Sequence, residues 1–234
     1  MLPKLATPKY DMIVPSTGES ITYRPYVVRE EKVLLIAMES ESDIAIENAV
    51  TDIIKLCVES PIKVEDLTNF DVEFMFVTLR SKSVGEGIKV SSKCTECEES
   101  NEHKIDLEKI KVKNLEDAID KHIKLEGDIS IDIAWPSMKN KLTQAERKTG
   151  TETIINMAAK SLDIIYSGEE IFNAKDSSMK ERVGFIESLT TDQFEKVINV
   201  ISEAPTLTYN LEYKCKKCGS DNKTELNGLS DFFQ

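Results

Sequence analysis

Four of the five cysteines occur as two identical pairs, and the chemistry that suits such pairs is metal binding. Cys94 and Cys97 form one C-x-x-C, and Cys215 and Cys218 form the other. Two thiolates in one tight turn can bind the same ion, and two such turns complete the tetrahedron of a structural zinc. A total of five cysteines does not fit a disulfide framework. The spacing therefore predicts one four-cysteine zinc site.

Three other states of the same thiols stay open at this point: an iron–sulfur cluster, two redox dithiols and unmetallated thiols. The redox alternative lacks a helix start after the first cysteine and the βαβ setting of a thioredoxin. A catalytic zinc is disfavoured because four protein thiolates leave no coordination position for water or substrate. We therefore expect a structural metal.

The residues beside each cysteine pair alternate as in β-strands. Residues 88–93 and 103–107 flank the first pair, and residues 206–214 and 223–226 flank the second. This arrangement predicts a zinc ribbon. The 117 residues between Cys97 and Cys215 make it a split ribbon, with a β and helical insertion between its two knuckles. Such an insertion is tolerable because each doubling of a loop costs only about 0.6 kcal/mol.

Two further features beside the cysteines suit a four-thiolate centre. Gly219 follows the last cysteine and can adopt the positive φ that a knuckle often requires. The two net negative charges of the centre would be offset by nearby lysines. These are Lys93, Lys214, Lys216 and Lys217.

The remaining pattern predicts an α+β fold that begins with a β-hairpin and helices. Residues 10–14 and 21–28 form the hairpin, and residues 30–38 form the first helix. Ser42 or Asp43 caps a second helix. The apolar run in residues 66–82 is too long for an ordinary strand and predicts a buried helix.

The insertion is predicted to contain sheet first and helices later. Residues 121–134 alternate around a Gly-Asp turn, whereas residues 145–166 carry an apolar stripe at helical spacing. Two shorter helices follow at 182–189 and 191–201. The expected regions are 1–86 for the N-terminal hairpin and helices, 87–107 with 206–234 for the ribbon, and 108–205 for the insertion.

Composition and the other reactive residues argue against several classes of function. The net charge of −12 opposes binding to nucleic acid. No apolar run has the length of a signal peptide or membrane span, so a soluble cytoplasmic protein is expected. Cys57 is read as a core residue, and His103 and His122 stand in no catalytic pattern. We therefore expect no enzyme and no small-molecule substrate.

Residues 15–18, 23–26 and 28–40 read PSTG, YRPY and VREEKVLLIAMES, and these segments resemble the baseplate hub proteins of T-even-type contractile-tailed phages. The most specific part lies in the first 40 residues, especially 28–40, and includes 15–18 and 23–26. Residues 79–86, the cysteine pairs and 228–233 look similar as well. The resemblance implies a hub subunit or hub assembly factor that contacts other baseplate proteins in the host cytoplasm. It leaves open whether the chain remains in the virion, and it supplies no catalytic residue.

Protein docking fits this chemistry, and aromatic side chains near the two ends are the candidate anchors. Tyr10, Phe232 and Phe233 are the predicted docking residues. Neither membrane nor nucleic acid is an expected partner, and the homo-oligomeric state is left open. The alternative is a zinc-ribbon adaptor or regulator of transcription, although basic and aromatic residues do not interleave around the knuckles.

Overall fold

The structure is a computed structural model that describes residues 6–40, 42–115, 120–143, 145–147 and 150–232. Its strands are β1 (Tyr10–Ile13), β2 (Ser20–Tyr23), β3 (Gly87–Lys93), β4 (Ser100–Asp106), β5 (Lys111–Lys113), β6 (His122–Lys124), β7 (Ile129–Ile133), β8 (Leu162–Ser167), β9 (Glu170–Asn173), β10 (Thr206–Lys214) and β11 (Asp221–Asn227). Its helices are α1 (Val28–Glu39), α2 (Asp43–Cys57), α3 (Asn69–Ser83), α4 (Thr151–Ser161), α5 (Met179–Glu187), α6 (Thr191–Ser202) and α7 (Gly228–Phe232). The fold is therefore mixed α+β and starts with strands followed by helices, as predicted.

The chain divides into two compact units. The first contains Met1–Val64, Phe70–Leu115 and Pro205–Gln234, and the second contains Glu65–Asn69 and Glu116–Ala204. The N-terminal elements and both cysteine hairpins thus share one unit, while most of the insertion forms the other. The division into three regions stays a prediction.

The N-terminal part of the first unit confirms the predicted hairpin and helices. β1 pairs antiparallel with β2, and Tyr10 lies opposite Tyr23. The Ser42 side chain accepts a hydrogen bond from the Ala45 backbone N–H and so caps α2. α3 is helical and places Met75 and other apolar side chains in the core, which confirms the buried helix.

The first unit also holds a partly buried carboxyl group against the C-terminal helix. Glu73 on α3 accepts a hydrogen bond from the backbone N–H of Leu229 in α7. Desolvation and the charge of Glu47 raise the pKa of Glu73 to about 7, although the Leu229 N–H lowers it. Ionisation of Glu73 therefore costs folding free energy at neutral and higher pH.

We expect Glu73→Gln to raise the melting temperature at pH 8 and to change it less at pH 5. The folded pKa lies above the ordinary 4.5, so the stability contributed by the protonated carboxyl is present below about pH 4.5 and is lost as pH rises through 7. Glutamine can still accept the Leu229 N–H bond. Thermal melts at both pH values test this, with the exposed Glu195→Gln as control. Equal shifts at pH 5 and pH 8 would contradict it.

The second unit pairs a sheet with helices, and one sequence prediction there is wrong. β6, β7, β8 and β9 form an antiparallel sheet in that order. The core includes side chains from this sheet and from α4, α5 and α6, among them Ile131, Leu162 and Val197. The predicted hairpin at 121–134 and the two later helices are confirmed. The predicted helix at 145–166 is wrong in its second part, because α4 ends at Ser161 and the following residues form the strand β8.

The helix prediction failed where apolar spacing was ambiguous. Residues 154, 155, 158, 162, 165 and 166 fit a helical stripe, but the last three lie in β8. Ile165 is opposite Ile131 on one side and Phe172 on the other. The two neighbouring strands supply backbone hydrogen bonds and cross-strand packing, which favour β-branched residues such as Ile164 and Ile165. Sheet pairing thus outweighed the local helical pattern.

Candidate metal centre

Two β-hairpins of the first unit present the cysteines at their turns. β3 pairs with β4 up to Lys93 opposite Ser100, and β10 pairs with β11 up to Lys214 opposite Asp221. Cys94 and Cys97 therefore lie in one turn, and Cys215 and Cys218 in the other. The alternating sequence on each side of both pairs was sufficient to predict these strands.

The two turns have the same hydrogen-bond pattern. The backbone N–H of Cys94 donates to the Glu99 carbonyl at 2.9 Å, and the Glu98 N–H donates to the Cys94 carbonyl at 3.0 Å. In the second turn the Cys215 N–H and the Gly219 N–H make the equivalent bonds at 2.9 and 3.0 Å. Gly219 has φ +75°, as predicted, and Glu98 has φ +56° at the matching position. The turn geometry thus requires a left-handed residue after the second cysteine of each pair.

The four sulfur atoms converge on one point. Sγ of Cys94 lies 3.6 Å from Sγ of Cys218, and Sγ of Cys97 lies 3.6 Å from Sγ of Cys215. All four sulfurs lie within 4.8 Å of one another. A tetrahedral ion with zinc–sulfur bonds of about 2.3 Å would separate its ligand sulfurs by about 3.8 Å. The donor set and its spacing therefore fit a metal ion bound between the two hairpins.

Local hydrogen bonds affect which thiols ionise most easily. The Ser220 hydroxyl lies 3.2 Å from Sγ of Cys94, and with backbone N–H groups it lowers the pKa of that thiol to about 5. Backbone N–H groups, first that of Cys218, also lower the pKa of Cys215. The Glu99 N–H lowers the pKa of Cys97, but desolvation and the neighbouring thiols outweigh it and raise that pKa to about 12. Since metals bind thiolates, a bound cation would displace the remaining thiol protons.

Two buried asparagines contact the cluster, and the sequence analysis missed them. Asn101 is 1% exposed and its side-chain N–H lies 3.7 Å from Sγ of Cys215. Asn222 is 6% exposed and its side-chain N–H lies 3.6 Å from Sγ of Cys94. Each asparagine stands four residues after the second cysteine of its own pair. That shared position was a signal in the sequence.

Other polar contacts also link the two hairpins. The His103 ring lies 4.2 Å from the Tyr213 ring, and the Tyr213 hydroxyl donates to the Lys93 carbonyl at 3.1 Å. Lys217 pairs with Glu99 at 2.8 Å. These contacts give His103 a role in packing. They also mean that part of the predicted lysine charge near the sulfurs is used in surface ion pairs.

The remaining candidate residues are not among the four clustered ligands. Cys57 is fully buried in the first unit, as expected of a core residue. His122 belongs to the second unit, where its Nδ1 lies 2.7 Å from Oδ1 of Asp132. Tyr10 is 37% exposed and its ring packs 5.8 Å from that of Tyr23.

Of the two predicted docking residues at the C-terminus, the structure describes Phe232, which is buried. Phe232 is 1% exposed, so its side chain is not presented to a partner in this conformation. It belongs to α7, which packs against β3, β10 and β11, and this packing covers the ring. A docking role for Phe232 therefore stays a prediction, and it would require α7 to move and uncover the ring. Phe233 lies outside the described residues.

The arrangement defines the chemical class of the site. Four thiolates around one ion leave no position for substrate or water, so a metal bound here would support structure. Among the described residues, the four cysteines are the one grouping of three or more potential ligands close enough to hold a metal. The helices of the described ranges include none with the length and apolar character needed to cross a membrane.

Comparison with known protein families places the chain among phage tail proteins. The model of the family described as T4 bacteriophage base plate protein matches residues 7–234. The chain therefore belongs to that family, and the resemblance predicted from its sequence is confirmed. Neither the curated proteins nor the solved structures contain a significant match. Family membership makes the chain a structural component of a phage tail that interacts with other phage structural proteins.

Proposed function

We propose that this protein is a structural or assembly component of the baseplate hub that docks other phage structural proteins, with zinc in its four-cysteine site. Family membership supports the baseplate context. A closed set of four thiolates supports zinc, because structural zinc commonly takes this tetrahedral donor set. The observation that carries the docking role is an exposed apolar surface on α1.

α1 directs apolar side chains away from its own unit. Val28, Leu35 and Ile36 are 79%, 53% and 56% exposed, whereas Leu34 and Ala37 are buried. At 3.6 residues per turn, positions 28, 35 and 36 lie on one side of the helix and positions 34 and 37 on the other. We call the three exposed side chains the α1 face. Clustered apolar side chains on a surface helix are typical of protein interaction sites.

The occupant that we propose for the α1 face is another structural protein of the baseplate. Exposed Lys32 and Glu39 lie on the same side of the helix, so the surface has an apolar centre with one charge of each sign. Interfaces commonly combine an apolar core with a polar rim. The face also lies within residues 28–40, the segment that carries the most specific part of the hub resemblance. Tyr10 is proposed as a second docking residue.

We expect Ile36→Asp to reduce recovery of other baseplate proteins at least tenfold when the tagged chain is purified from infected cells. A carboxylate on the face would lose its hydration on docking, and a pair with the exposed Lys32 would offset only part of that cost. Its effect on the isolated chain should be small because Ile36 is more than half exposed. Cells infected with phage lacking the gene and complemented with each variant provide the material, and mass spectrometry provides the readout.

Ile171→Asp is the matched control because Ile171 is 67% exposed on β9 of the other unit. It should leave partner recovery unchanged. Equal recovery with wild type and Ile36→Asp would refute docking through the α1 face. Recovery of RNA polymerase without tail proteins would refute the hub role and favour the transcriptional alternative. Probing purified virions for the chain then separates a hub subunit from an assembly factor.

A further inference from the structure

We propose that Asn101 and Asn222 are a reciprocal pair of positioning residues, each of which orients the first metal-binding thiolate of the opposite hairpin. The proposal deepens the zinc assignment and rests on it. It assigns a function to two residues whose identity follows from neither the C-x-x-C motif nor the strand pattern. The evidence is the geometry around each amide.

Asn101 makes two bonds to the opposite turn. Its side-chain N–H points to Sγ of Cys215 at 3.7 Å, and its side-chain oxygen accepts the backbone N–H of Lys216 at 2.9 Å. One amide group therefore contacts a ligand sulfur and the backbone immediately after it. These two contacts fix both the position of the turn and the direction of the thiolate.

Asn222 makes the same two bonds in the opposite direction. Its side-chain N–H points to Sγ of Cys94 at 3.6 Å, and its side-chain oxygen accepts the backbone N–H of Thr95 at 3.0 Å. Each hairpin thus gives one amide to the other, as in an interface with two-fold symmetry, although both hairpins belong to one chain. Because the same two bonds occur in both directions, chance packing does not explain the amide–sulfur contacts.

The two hairpins are also related in sequence. An offset of 121 residues superposes Cys94 on Cys215, Cys97 on Cys218 and the two asparagines on each other. The residue after the second cysteine has positive φ in both copies. The amide therefore belongs to a repeated unit of turn and strand, rather than to one hairpin alone.

Burial explains why these amides matter energetically. Both asparagines are more than nine-tenths buried, where an amide without hydrogen-bond partners is costly. A thiolate is a favourable acceptor for the amide N–H, and groups that orient metal ligands commonly change metal affinity by about 10–100-fold. Each half of the site is therefore completed only when the other hairpin is docked.

The test compares three changes at each asparagine in the full-length chain. Asn101→Ala and Asn222→Ala remove both bonds to the opposite turn and also the amide's bond to the Glu99 or Ser220 carbonyl of its own turn. Asn101→Asp and Asn222→Asp keep the backbone acceptor but place a carboxylate beside the sulfur. Ser92→Ala is the control, because Ser92 is buried in the same hairpin and bonds to His103 rather than to a cysteine. Asparagine-to-serine variants at both positions supply a smaller change if alanine prevents folding.

We expect the alanine variants to transfer zinc to a competing chelator with about 10–100-fold weaker affinity than wild type. The aspartate variants should bind more weakly still, since like charges oppose each other. With Co2+ as the probe, loss of an amide–sulfur bond should move the sulfur-to-cobalt absorption band to longer wavelength, because the thiolate becomes a better electron donor. Ser92→Ala should retain the affinity and the spectrum of wild type.

Unchanged zinc affinity and cobalt spectra in all asparagine variants would refute the proposal, even if their melting temperatures fell. Aspartate variants that bind zinc as tightly as wild type would refute the donor role. The metal content of wild type, measured in parallel, separates the asparagine proposal from the zinc assignment on which it rests. A metal-free wild type refutes the zinc assignment, whereas a metallated wild type with unaffected variants refutes the asparagine proposal alone.

Discussion

Cys215→Ser is expected to abolish stoichiometric metal binding and to lower the melting temperature more than any other single change considered for this chain. Sγ of Cys215 is one of four sulfurs within 4.8 Å of one another. Structural zinc contributes its binding free energy to folding, and the apparent value in small zinc-finger peptides at pH 7 is about 10–16 kcal/mol. Losing one thiolate removes a large part of that contribution and frees the two hairpins from each other.

Elemental analysis and thermal melting together test this expectation. Wild type should contain about one metal ion per chain, and added chelator should lower its melting temperature. The same chelator should barely affect Cys215→Ser. Cys57→Ala is the matched control, because Cys57 is buried away from the cluster and its loss should leave metal content unchanged. A wild-type chain without metal, melting at the same temperature as Cys215→Ser, would contradict the structural role.

Glu30→Ala is expected to destabilise the protein by about 1–3 kcal/mol, the usual cost of leaving hydrogen-bonding groups without their buried partner. The Glu30 side chain is 1% exposed and pairs with Arg24 at 3.1 Å and Arg29 at 2.7 Å. Its other oxygen accepts the Val27 backbone N–H at 2.9 Å, at the start of α1. Arg24 also donates to the Leu56 carbonyl at the end of α2. Glu30 therefore fixes the start of α1 against α2.

The pH dependence of the same group gives a second measurement. Desolvation would raise the pKa of Glu30, but hydrogen bonds from Arg29, Val27 and Arg24 outweigh it and lower the pKa to about 2. Its stabilising effect is therefore complete above the ordinary value of 4.5 and is lost as pH falls toward 2. Urea unfolding of wild type and Glu30→Gln should differ most above pH 5 and converge at lower pH.

Glu31→Ala is the control for Glu30, because it removes a carboxylate from the same turn of α1. It should cost only a few tenths of a kcal/mol, as expected for a charge near a helix start. A Glu30→Ala variant as stable as Glu31→Ala would exclude an important buried pair. If Glu30 does fix α1, its loss should also weaken partner recovery through the α1 face without changing any residue of that face.

The cysteine site was predictable because its main information is local. Two cysteines at a fixed spacing, with alternating residues on each side, specify a hairpin turn with two thiols. Joining Cys94–Cys97 to Cys215–Cys218 required only the valence of a tetrahedral ion. The partners of the individual sulfurs were not predictable in this way. They depend on how two hairpins, offset by 121 residues in the sequence, face each other.

The outward apolar surface of α1 could not be read from residue types. Apolar residues occur all around this helix, and Val33 and Met38 are 45% and 41% exposed although they are as apolar as the buried Leu34. The buried side is instead defined by Glu30, Leu34 and Ala37. Glu30 can be buried because two arginines and a backbone N–H form hydrogen bonds with its carboxylate. Only the packed structure supplies those partners.

The sequence by itself determined the two cysteine pairs, the hairpins that hold them, the two helices after β2 and the baseplate family. These features follow from short spacing, local periodicity and segments recognisable without three-dimensional context. The tertiary structure decided that β8 is a strand, that Phe232 is covered, that the α1 face is exposed and that two asparagines cross between the hairpins. Each of these depends on contacts between distant residues, whose free energy exceeds the local preference of the chain.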